Sequence, residues 1–248
     1  MVNIYSEKEI EIMREGGKIL AKILKTLSKK VKSGITTAYL NKVAEDLIFS
    51  FGAKPSFRGF NGYPAALCTS VNEEIVHAVP SKKILKNGDI LTLDLGIKFK
   101  GFCTDAAITV PVGKIDKKVR KLITTTKKSL EIAIKQAKPG NYLEDIGWAI
   151  QNYVEKRGFN VIRELVGHGV GKQVHEDPQI LNYGRKEQGV VLKEGMVLAL
   201  EPMVAIGNWR IKRGEDRFGY KTLDNSLSAH FEHTIAITKR GPKILTKV

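Results

Sequence analysis

Apolar residues recur at helical spacing in two consecutive stretches near the start of the chain. Ser6 and Glu9 have the spacing of a capping box ahead of the first stretch. The pattern predicts a long amphipathic helix, then a second helix over about residues 37–51 that Gly52 ends. The apolar face of the first helix consists of Ile10, Met13, Leu20, Ile23 and Leu27.

The same arrangement returns 106 residues later, where Gly140 and Gly158 stand in the positions of Gly34 and Gly52. Strand-like sequence rich in β-branched residues follows each helix pair. Similarity at a fixed offset indicates internal duplication. We therefore expect an α+β fold with a central antiparallel sheet, outer helices and a pseudo-twofold axis. It would be one domain over residues 1–248, with halves of about 1–112 and 113–248.

Polar residues pair across the two halves in the same order as the helices. His77 precedes His175 by 98 positions, and an insertion near residues 207–220 stretches the last of the spacings. Three such matches in order, added to the helix alignment, predict that the functional site lies on the pseudo-twofold axis. The two carboxylate pairs are Asp94 with Glu201 and Asp105 with Glu232.

Five candidate residues, the four paired carboxylates and one further histidine, interrupt apolar or glycine-rich stretches, where a lone charge is costly. An unpaired buried carboxylate costs several kcal/mol or more, so such acids need compensating cations. Four carboxylates and one imidazole can neutralise two divalent ions, so the pattern indicates a two-metal site. The five residues are Asp94, Asp105, His168, Glu201 and Glu232.

Each candidate also has a plainer interpretation. Asp94 and Asp105 would lie across from each other on two strands joined around residues 98–101, and separate structural roles are the alternative to metal binding. A lone histidine such as His168 is more often a core or surface residue. Its flanking glycines and a second histidine seven residues later favour a functional site. Glu176 and Asp177 are interpreted as ordinary turn acids.

The composition is that of a single globular unit in a reducing compartment. The chain has 248 residues and 42% hydrophobic content. Cys68 and Cys103 form no CxxC motif, so a cytoplasmic location fits best. The N-terminal stretch lacks the apolar core of a signal peptide, and no stretch approaches the roughly 18 apolar residues of a membrane span.

The formal net charge is +15, which raises the question of a nucleic-acid partner. Two basic clusters stand out, and both fall on predicted helix surfaces. A solvated lysine-rich surface is the alternative to a polyanion site, and no RNA-binding aromatic motif supports the latter. The clusters are Lys25, Lys29, Lys30 and Lys32, and Lys114, Lys117, Lys118, Arg120 and Lys121.

Six segments resemble, in order and spacing, those of the methionine aminopeptidase family in its type I bacterial form. The resemblance implies the pita-bread (creatinase/aminopeptidase) fold and a hydrolase that removes initiator methionine from nascent chains when the next residue is small. The short stretch between His175 and Glu201 leaves no space for the helical insertion of type II members. The segments are NGYPAALCTSVNEEIVHAVP, LTLDLG, GFCTDAA, VGHGVGKQVHEDPQI, LALEPMV and SLSAHFEHTIAIT.

The resemblance also implies a role for each candidate ligand. Asp94 would bind one metal ion in bidentate fashion, His168 and Glu201 the other, and Asp105 and Glu232 would bridge the two. Such ligands suit Co, Mn, Fe(II) or Zn, and two ions could hold a bridging water for attack. Glu201 would accept the proton of that water.

His77 and His175 are implied as catalytic residues that contact the substrate amide and carbonyl. The implied methionine pocket comprises Phe57, Phe60, Tyr63, Cys68 and Phe218. Ordinary core packing is the alternative for Phe57 and Phe60. Val174 stands where many family members carry an aromatic residue, and Phe218 stands where many carry tryptophan, so the implied pocket differs from theirs at these two positions.

Two other functions compete with this hypothesis. Prolidase and aminopeptidase P share the fold but carry a large N-terminal domain. A protein that had lost its ligands and contacted RNA through its basic surface would not be an enzyme, but all five ligands and both histidines are present. As partners we expect peptide or nascent-chain N-termini beginning with methionine, and ribosomes through the basic surface. We expect a monomer.

Overall fold

Four α-helices form two consecutive pairs in the computed structural model, which describes residues 2–247. The first pair is α1 (Glu7–Lys30) and α2 (Thr37–Ser50); the second is α3 (Lys117–Gln136) and α4 (Leu143–Glu155). The predicted capping box heads α1, because the Ser6 amide donates to the Glu9 carboxylate at 2.9 Å and the Glu9 amide donates to the Ser6 hydroxyl at 3.4 Å.

Backbone contacts repeat between the two halves at nearly the predicted offset. The amide of Gly34 donates to the Leu85 carbonyl at 2.9 Å, and the amide of Gly140 donates to the Leu192 carbonyl at the same distance. Both glycines have positive φ, a conformation that glycine adopts without strain. These matching turns support the predicted duplication. Isolated antiparallel bridges also join Thr36 to Ile84 and Tyr142 to Val191.

The first half contributes one long hairpin and its neighbours. Strand β4 pairs along one edge with β5, across the predicted turn, and along the other edge with β2 and β1. The third strand, β3, pairs instead with a strand of the second half. The five strands are β1 (Lys54–Pro55), β2 (Leu67–Val71), β3 (Glu74–Val76), β4 (Ile90–Phe99) and β5 (Phe102–Pro111).

The second half contributes shorter strands, and every strand pair among the described residues is antiparallel. The strands are β6 (Asn160–Val161), β7 (Gly167–Gly169), β8 (Glu176–Ile180), β9 (Val197–Leu200), β10 (Met203–Ala205), β11 (Ile211–Arg213), β12 (Tyr220–Thr222), β13 (Ser228–His230), β14 (His233–Thr238) and β15 (Gly241–Ile244). One sheet has the order β15-β14-β9-β7-β8, and another has β13-β10-β6.

The predicted insertion near residues 207–220 forms a hairpin of its own. Strands β11 and β12 pair with each other, and β12 then pairs with β3 of the first half. The hairpin therefore reaches across the pseudo-twofold axis. A short 3-10 helix at Phe60–Gly62 lies in the first half.

Alternation along β4 separates the core from the site. Leu91, Leu93 and Leu95 are fully buried and pack with α1 and α2 in one apolar cluster. Asp94 and Gly96 alternate with these leucines and therefore face the opposite side of the strand. The register of β4 on β5 places Asp105 opposite Gly96, so Asp94 and Asp105 share this second face.

Apolar packing also joins the two halves. One cluster combines Met13, Phe57 and Cys68 of the first half with Val174 and Ala199 of the second. This packing supports a single domain, which stays a prediction over residues 1–248, since residues 1 and 248 lie outside the described part. No helix within residues 2–247 is both long and apolar enough to cross a membrane.

Candidate metal centre and substrate cleft

Two aspartates of the β4–β5 hairpin form the floor of a cleft. Asp94 pairs in register with Ala107, and Asp105 pairs with Gly96. Both carboxylates therefore share one face of the hairpin and lie diagonally rather than directly opposite. The prediction that they face each other across the strands was wrong by two residues of register. Both are buried, and both line the same cavity.

Gly96 gives the cleft space for an aromatic side chain. A Cβ atom built on Gly96 would lie 2.5 Å from Cε1 of Phe57, too close for any real contact. Gly96 is on the same face of β4 as Asp94, so the absence of a side chain there lets Phe57 enter the cleft beside the carboxylates. Gly96 is visible in the sequence as the last residue of the segment LDLG. Its role in making space for Phe57 follows only from the structure.

The second half brings three more candidate ligands to the same cleft. His168 lies in β7, Glu201 follows β9 directly, and Glu232 precedes β14. The Nε2 atom of His168 is 3.5 Å from Oε1 of Glu201. Potential ligand atoms of Asp105, His168 and Glu232 all lie within 4.8 Å of one another. Asp94 and Glu201 line the same cavity, so all five predicted residues are brought together.

Hydrogen bonds across the axis hold the two sets of carboxylates in place. The Asp105 amide donates to the Thr234 hydroxyl at 2.8 Å, and that hydroxyl donates to the Asp105 carbonyl at 2.7 Å. The Glu232 amide donates to the Ala107 carbonyl at 2.9 Å. Thr234 thus fixes β5 beside β14, which keeps Asp105 and Glu232 adjacent.

Burial and mutual repulsion oppose ionisation of the four carboxylates. Burial raises the pKa of Asp105 to about 7. Burial, followed by the proximity of Asp105, raises the pKa of Asp94 well above its usual range. Burial and then the neighbouring aspartates do the same to the pKa values of Glu201 and Glu232. Such a cluster needs positive charge in order to hold four carboxylates in their ionised form.

The polar atoms of the cluster fit divalent metal ions. Asp105 Oδ1 and Glu232 Oε1 are buried and have no hydrogen-bond partner among residues 2–247. The Nδ1 atom of His168 is 2.8 Å from the Gly169 carbonyl, which favours a proton on Nδ1 and leaves the Nε2 lone pair facing the carboxylates. Oxygen ligands with one imidazole nitrogen are a donor set typical of first-row divalent ions.

The two further predicted histidines, His77 and His175, line the same cavity. His77 follows β3 with a positive φ of 59° and stands edge-on to Tyr220 at 6.3 Å between ring centroids. Burial lowers its pKa to about 4, with help from His175 and Arg213. The ring of His175 lies 4.1 Å from that of His168. His175 reaches solvent at the cleft mouth, but the walls remove enough water to lower its pKa.

The predicted pocket residues line the same cavity, which has a volume of about 910 Å³. Tyr63 and Phe218 make an edge-to-face contact at 5.5 Å between ring centroids, and Phe60 contacts His175 at 5.1 Å. Phe57, Tyr63, Cys68 and Val174 are buried, so packing and lining roles coincide for them. The cleft thus has an aromatic wall beside its charged floor. All five predicted pocket residues, namely Phe57, Phe60, Tyr63, Cys68 and Phe218, take part.

His230 is a buried neighbour of the site that was not predicted from the sequence. Its Nε2 atom is 3.5 Å from Oε2 of Glu201, and neither ring nitrogen has a hydrogen-bond partner among the described residues. Burial lowers its pKa to about 3. The signal available in the sequence was its position two residues before Glu232.

Glu176 also differs from its interpretation as a turn acid. It begins β8, and its carboxylate accepts hydrogen bonds from the Tyr5 hydroxyl, at 2.7 and 2.9 Å, and from the Gln173 amide at 2.9 Å. Burial, and then the contact with Glu176, raises the pKa of Tyr5 to about 12. Asp177 lies in the same strand. Glu176 therefore joins the segment before α1 to the cleft wall that carries His175.

Comparison with known proteins gives a consistent result over nearly the full length. The model of metallopeptidase family M24 matches residues 11–239. The chain is 47% identical over 247 residues to methionine aminopeptidase of Clostridium acetobutylicum, with 99% of each chain covered. It is 48% identical over 248 residues to methionine aminopeptidase 1 of Bacillus subtilis, with both chains fully covered.

Solved structures match the fold equally well. Methionine aminopeptidase from Thermotoga maritima superimposes with a TM-score of 0.98 at 46% identity, over 100% of both chains. A prolidase from Pyrococcus horikoshii superimposes with a TM-score of 0.80 at 26% identity, over 99% of this chain and 63% of the prolidase. The predicted α+β pita-bread fold is confirmed by these superpositions.

Proposed function

The chain belongs to metallopeptidase family M24, and on that premise we propose that it removes the N-terminal methionine from proteins and peptides when the next residue is small. It is a methionyl aminopeptidase, a metal-dependent hydrolase. The observation that carries the proposal is the buried cluster of Asp105, His168 and Glu232, whose potential ligand atoms lie within 4.8 Å of one another at the floor of the cleft. The chain matches proteins named methionine aminopeptidase over 99–100% of their length, which supports N-terminal methionine as the residue removed.

The proposed metal content is two divalent ions, drawn from Co, Mn, Fe(II) or Zn. Asp94 would hold one ion, His168 and Glu201 the other, and Asp105 and Glu232 both. The four buried carboxylates support two ions because a single divalent charge would leave half of their negative charge uncompensated. When bound, the ions would acidify a water molecule and polarise the scissile carbonyl.

Side chains of the protein would transfer the proton and stabilise the negative charge that develops on the substrate. Glu201, at the end of β9, would accept a proton from the attacking water, and the nearby His230 ring would restrict its carboxylate. His77 and His175 line the cleft and would offer ring N–H groups to the substrate amide and carbonyl, which stabilises negative charge as it develops. Their low pKa values favour neutral rings, each with one N–H donor.

The aromatic wall would select the substrate side chain. An unbranched thioether gains from burial and from sulfur–aromatic contact. Tyr63 and Phe218 already meet edge to face at 5.5 Å, and Phe57 enters through the space left by Gly96. Cys68 and Phe60 would complete the pocket.

The proposal extends to the setting in which the enzyme acts. Cys68 and Cys103 are both free thiols, which agrees with a reducing cytoplasm. Both basic clusters are exposed, one at the end of α1 and the other at the start of α3, which supports contact with ribosomal RNA. We propose a monomer that acts on nascent chains.

Metal analysis combined with peptide hydrolysis tests the proposal. Protein purified anaerobically should contain two divalent ions per chain and should release methionine from Met-Ala-Ser. A prolidase would instead cleave a Xaa-Pro dipeptide, and an RNA-binding protein without catalytic function would cleave neither. Metal-loaded protein that releases no methionine would refute the proposal.

A further inference from the structure

The carboxylate of Asp216 forms hydrogen bonds both within the inserted hairpin and to the loop that follows His77. Asp216 lies between β11 and β12. Its Oδ1 atom accepts hydrogen bonds from the amides of Phe218, at 3.0 Å, and Gly219, at 2.7 Å. Its Oδ2 atom accepts a hydrogen bond from the Val79 amide at 2.8 Å. One side chain therefore joins two segments that are 137 residues apart in sequence.

On the hairpin side, these bonds set the position of an aromatic wall residue. Phe218 lines the cleft and contacts Tyr63. A Cβ atom on Gly219 would lie 3.1 Å from Cα of Ala78, so the two segments approach each other closely at this point. A shift of the Asp216 turn would move Phe218 away from Tyr63.

On the other side, Val79 lies two residues after His77, whose backbone is held at positive φ. The intervening Ala78 carbonyl accepts hydrogen bonds from the Thr69 amide at 3.0 Å and the Tyr63 hydroxyl at 3.1 Å. A non-glycine residue at positive φ persists only where its surroundings hold it. The bond from Val79 to Asp216 is one of those restraints.

Apolar packing does not replace these hydrogen bonds behind the hairpin tip. A cavity of about 330 Å³ lies there, with Thr37, Glu74, Lys83 and Lys221 among its lining residues. Asp216 itself is exposed, as are its neighbours Glu215 and Arg217. Phe218 and Val79 pack against an apolar cluster on the cleft side, and the three hydrogen bonds to Asp216 add a polar link between their two segments.

We propose that Asp216 is a positioning residue that holds Phe218 and the His77 loop together as one wall, and so sets both selectivity for methionine and turnover. The inference rests on the proposed function, because it takes Phe218 as a pocket residue and His77 as a substrate contact. Loosening this wall would admit a branched side chain such as leucine and would misplace His77.

Replacement by asparagine distinguishes the hydrogen bonds of Asp216 within the turn from its hydrogen bond to Val79. In Asp216→Asn, one oxygen can still accept from the Phe218 and Gly219 amides, but the amide nitrogen is a donor and cannot accept from Val79. The asparagine variant should therefore keep the turn and lose the link between the segments. In Asp216→Ala both are lost.

The test compares Asp216→Ala and Asp216→Asn with Glu215→Ala, a matched control at a side chain that is 99% exposed. Kinetics with Met-Ala-Ser and Leu-Ala-Ser give kcat and KM, and hydrogen exchange reports on the Val79 amide. Asp216→Ala should lower the methionine-to-leucine ratio of kcat/KM by about tenfold or more, within the range for one apolar group in a pocket. Its metal content and far-ultraviolet circular dichroism should match the wild type.

Asp216→Asn should lose protection at Val79 and lower kcat, while retaining more of the selectivity than alanine does. Glu215→Ala should match the wild type in both respects. Wild-type selectivity and kcat in both Asp216 variants would overturn the inference. It would also be overturned if Asp216→Asn kept the Val79 amide protected and had the selectivity and kcat of the wild type. A wild-type protein that releases no methionine would instead refute the proposed function.

Discussion

Asp105 lies opposite Gly96 and diagonal to Asp94, so the two carboxylates share one face of a hairpin without standing in direct register. Directly opposed like charges destabilise a strand pair, and the diagonal offset increases their separation. Burial still raises both pKa values. In the absence of metal ions, each ionised carboxylate in this cluster therefore works against the folded state.

The first prediction is that Asp105→Asn stabilises the metal-free protein in a pH-dependent manner. The folded-state pKa of Asp105, about 7, exceeds its ordinary value of 3.8. Between these values the folded state binds more protons than the unfolded state, so the unfolding free energy falls as pH rises. Asparagine removes this loss, so the variant's advantage should grow from pH 4 to pH 7 and level off above. At about 1.4 kcal/mol per pKa unit, it should reach a few kcal/mol.

Urea unfolding in the presence of a chelator would measure this difference at each pH. Asp46→Asn, at an exposed carboxylate of α2, is the matched control. If the difference in unfolding free energy between Asp105→Asn and wild type is constant from pH 4 to pH 8, the pKa of Asp105 is not raised in the folded state.

The second prediction concerns metal removal. Chelation should abolish methionine release, and Mn, Co or Fe(II) should restore it, because a water molecule becomes a nucleophile at neutral pH only when a metal ion lowers its pKa. Activity and metal content should be measured on the same samples. Full activity in protein shown by elemental analysis to be metal-free would contradict the mechanism.

The third prediction separates His77 from the ligand cluster. His77→Ala should keep its metal content but lose about 10²–10⁴-fold in rate, the range for a positioned proton-transfer group or oxyanion donor. Asp105→Ala should lose metal as well as activity, because the remaining carboxylates would hold the ions with fewer bonds. Metal analysis of both variants distinguishes them. A metal-free or fully active His77→Ala protein would show that the histidine acts elsewhere.

Much of this site follows from the sequence because strand alternation and the internal repeat are local signals. The polar interruptions of apolar strands identified Asp94 and Asp105, and the offset between halves linked them to Glu201 and Glu232. The exact register of β4 on β5 was less accessible, because a shift of two residues preserves the pattern of faces.

Asp216 and His230 show what the sequence does not reveal. Asp216 occurs in a polar, glycine-containing turn, where an aspartate is expected for local reasons. Its contact with Val79 depends on how the inserted hairpin folds over the first half. His230 lies beside Glu201 only because β13 and β9 end at the same part of the cleft. Both contacts are long-range and leave no periodic trace.

The fourth prediction is that the residue after methionine must be small. His175 and Phe60 stand 5.1 Å apart by ring centroid at the cleft mouth and would narrow the space beyond the scissile bond. Met-Ala-Ser should be cleaved far faster than Met-Lys-Ser. Equal values of kcat/KM for the two peptides would contradict a confined cleft.

The fifth prediction concerns ribosome association through the basic surface. Cosedimentation with ribosomes should occur at low salt and weaken steeply as salt rises, because counterions compete for phosphate contacts. Replacing Lys117, Lys118 and Lys121 at the start of α3 by glutamine should weaken it further. If cosedimentation is absent at low salt, or independent of salt, these lysines are only solvated.

The hairpin of β11 and β12 lies within the second copy of the strand pair that carries the carboxylates. In the first copy, the same strand pair is continuous. Strands β4 and β5 are joined by two residues, whereas their counterparts β9 and β14 are separated by the insertion that carries Phe218. The carboxylates therefore keep the approximate symmetry of the duplication, while the walls above them do not. A peptide bound there would meet paired carboxylates below and different surfaces at its two ends, and this asymmetry would fix the direction in which it binds.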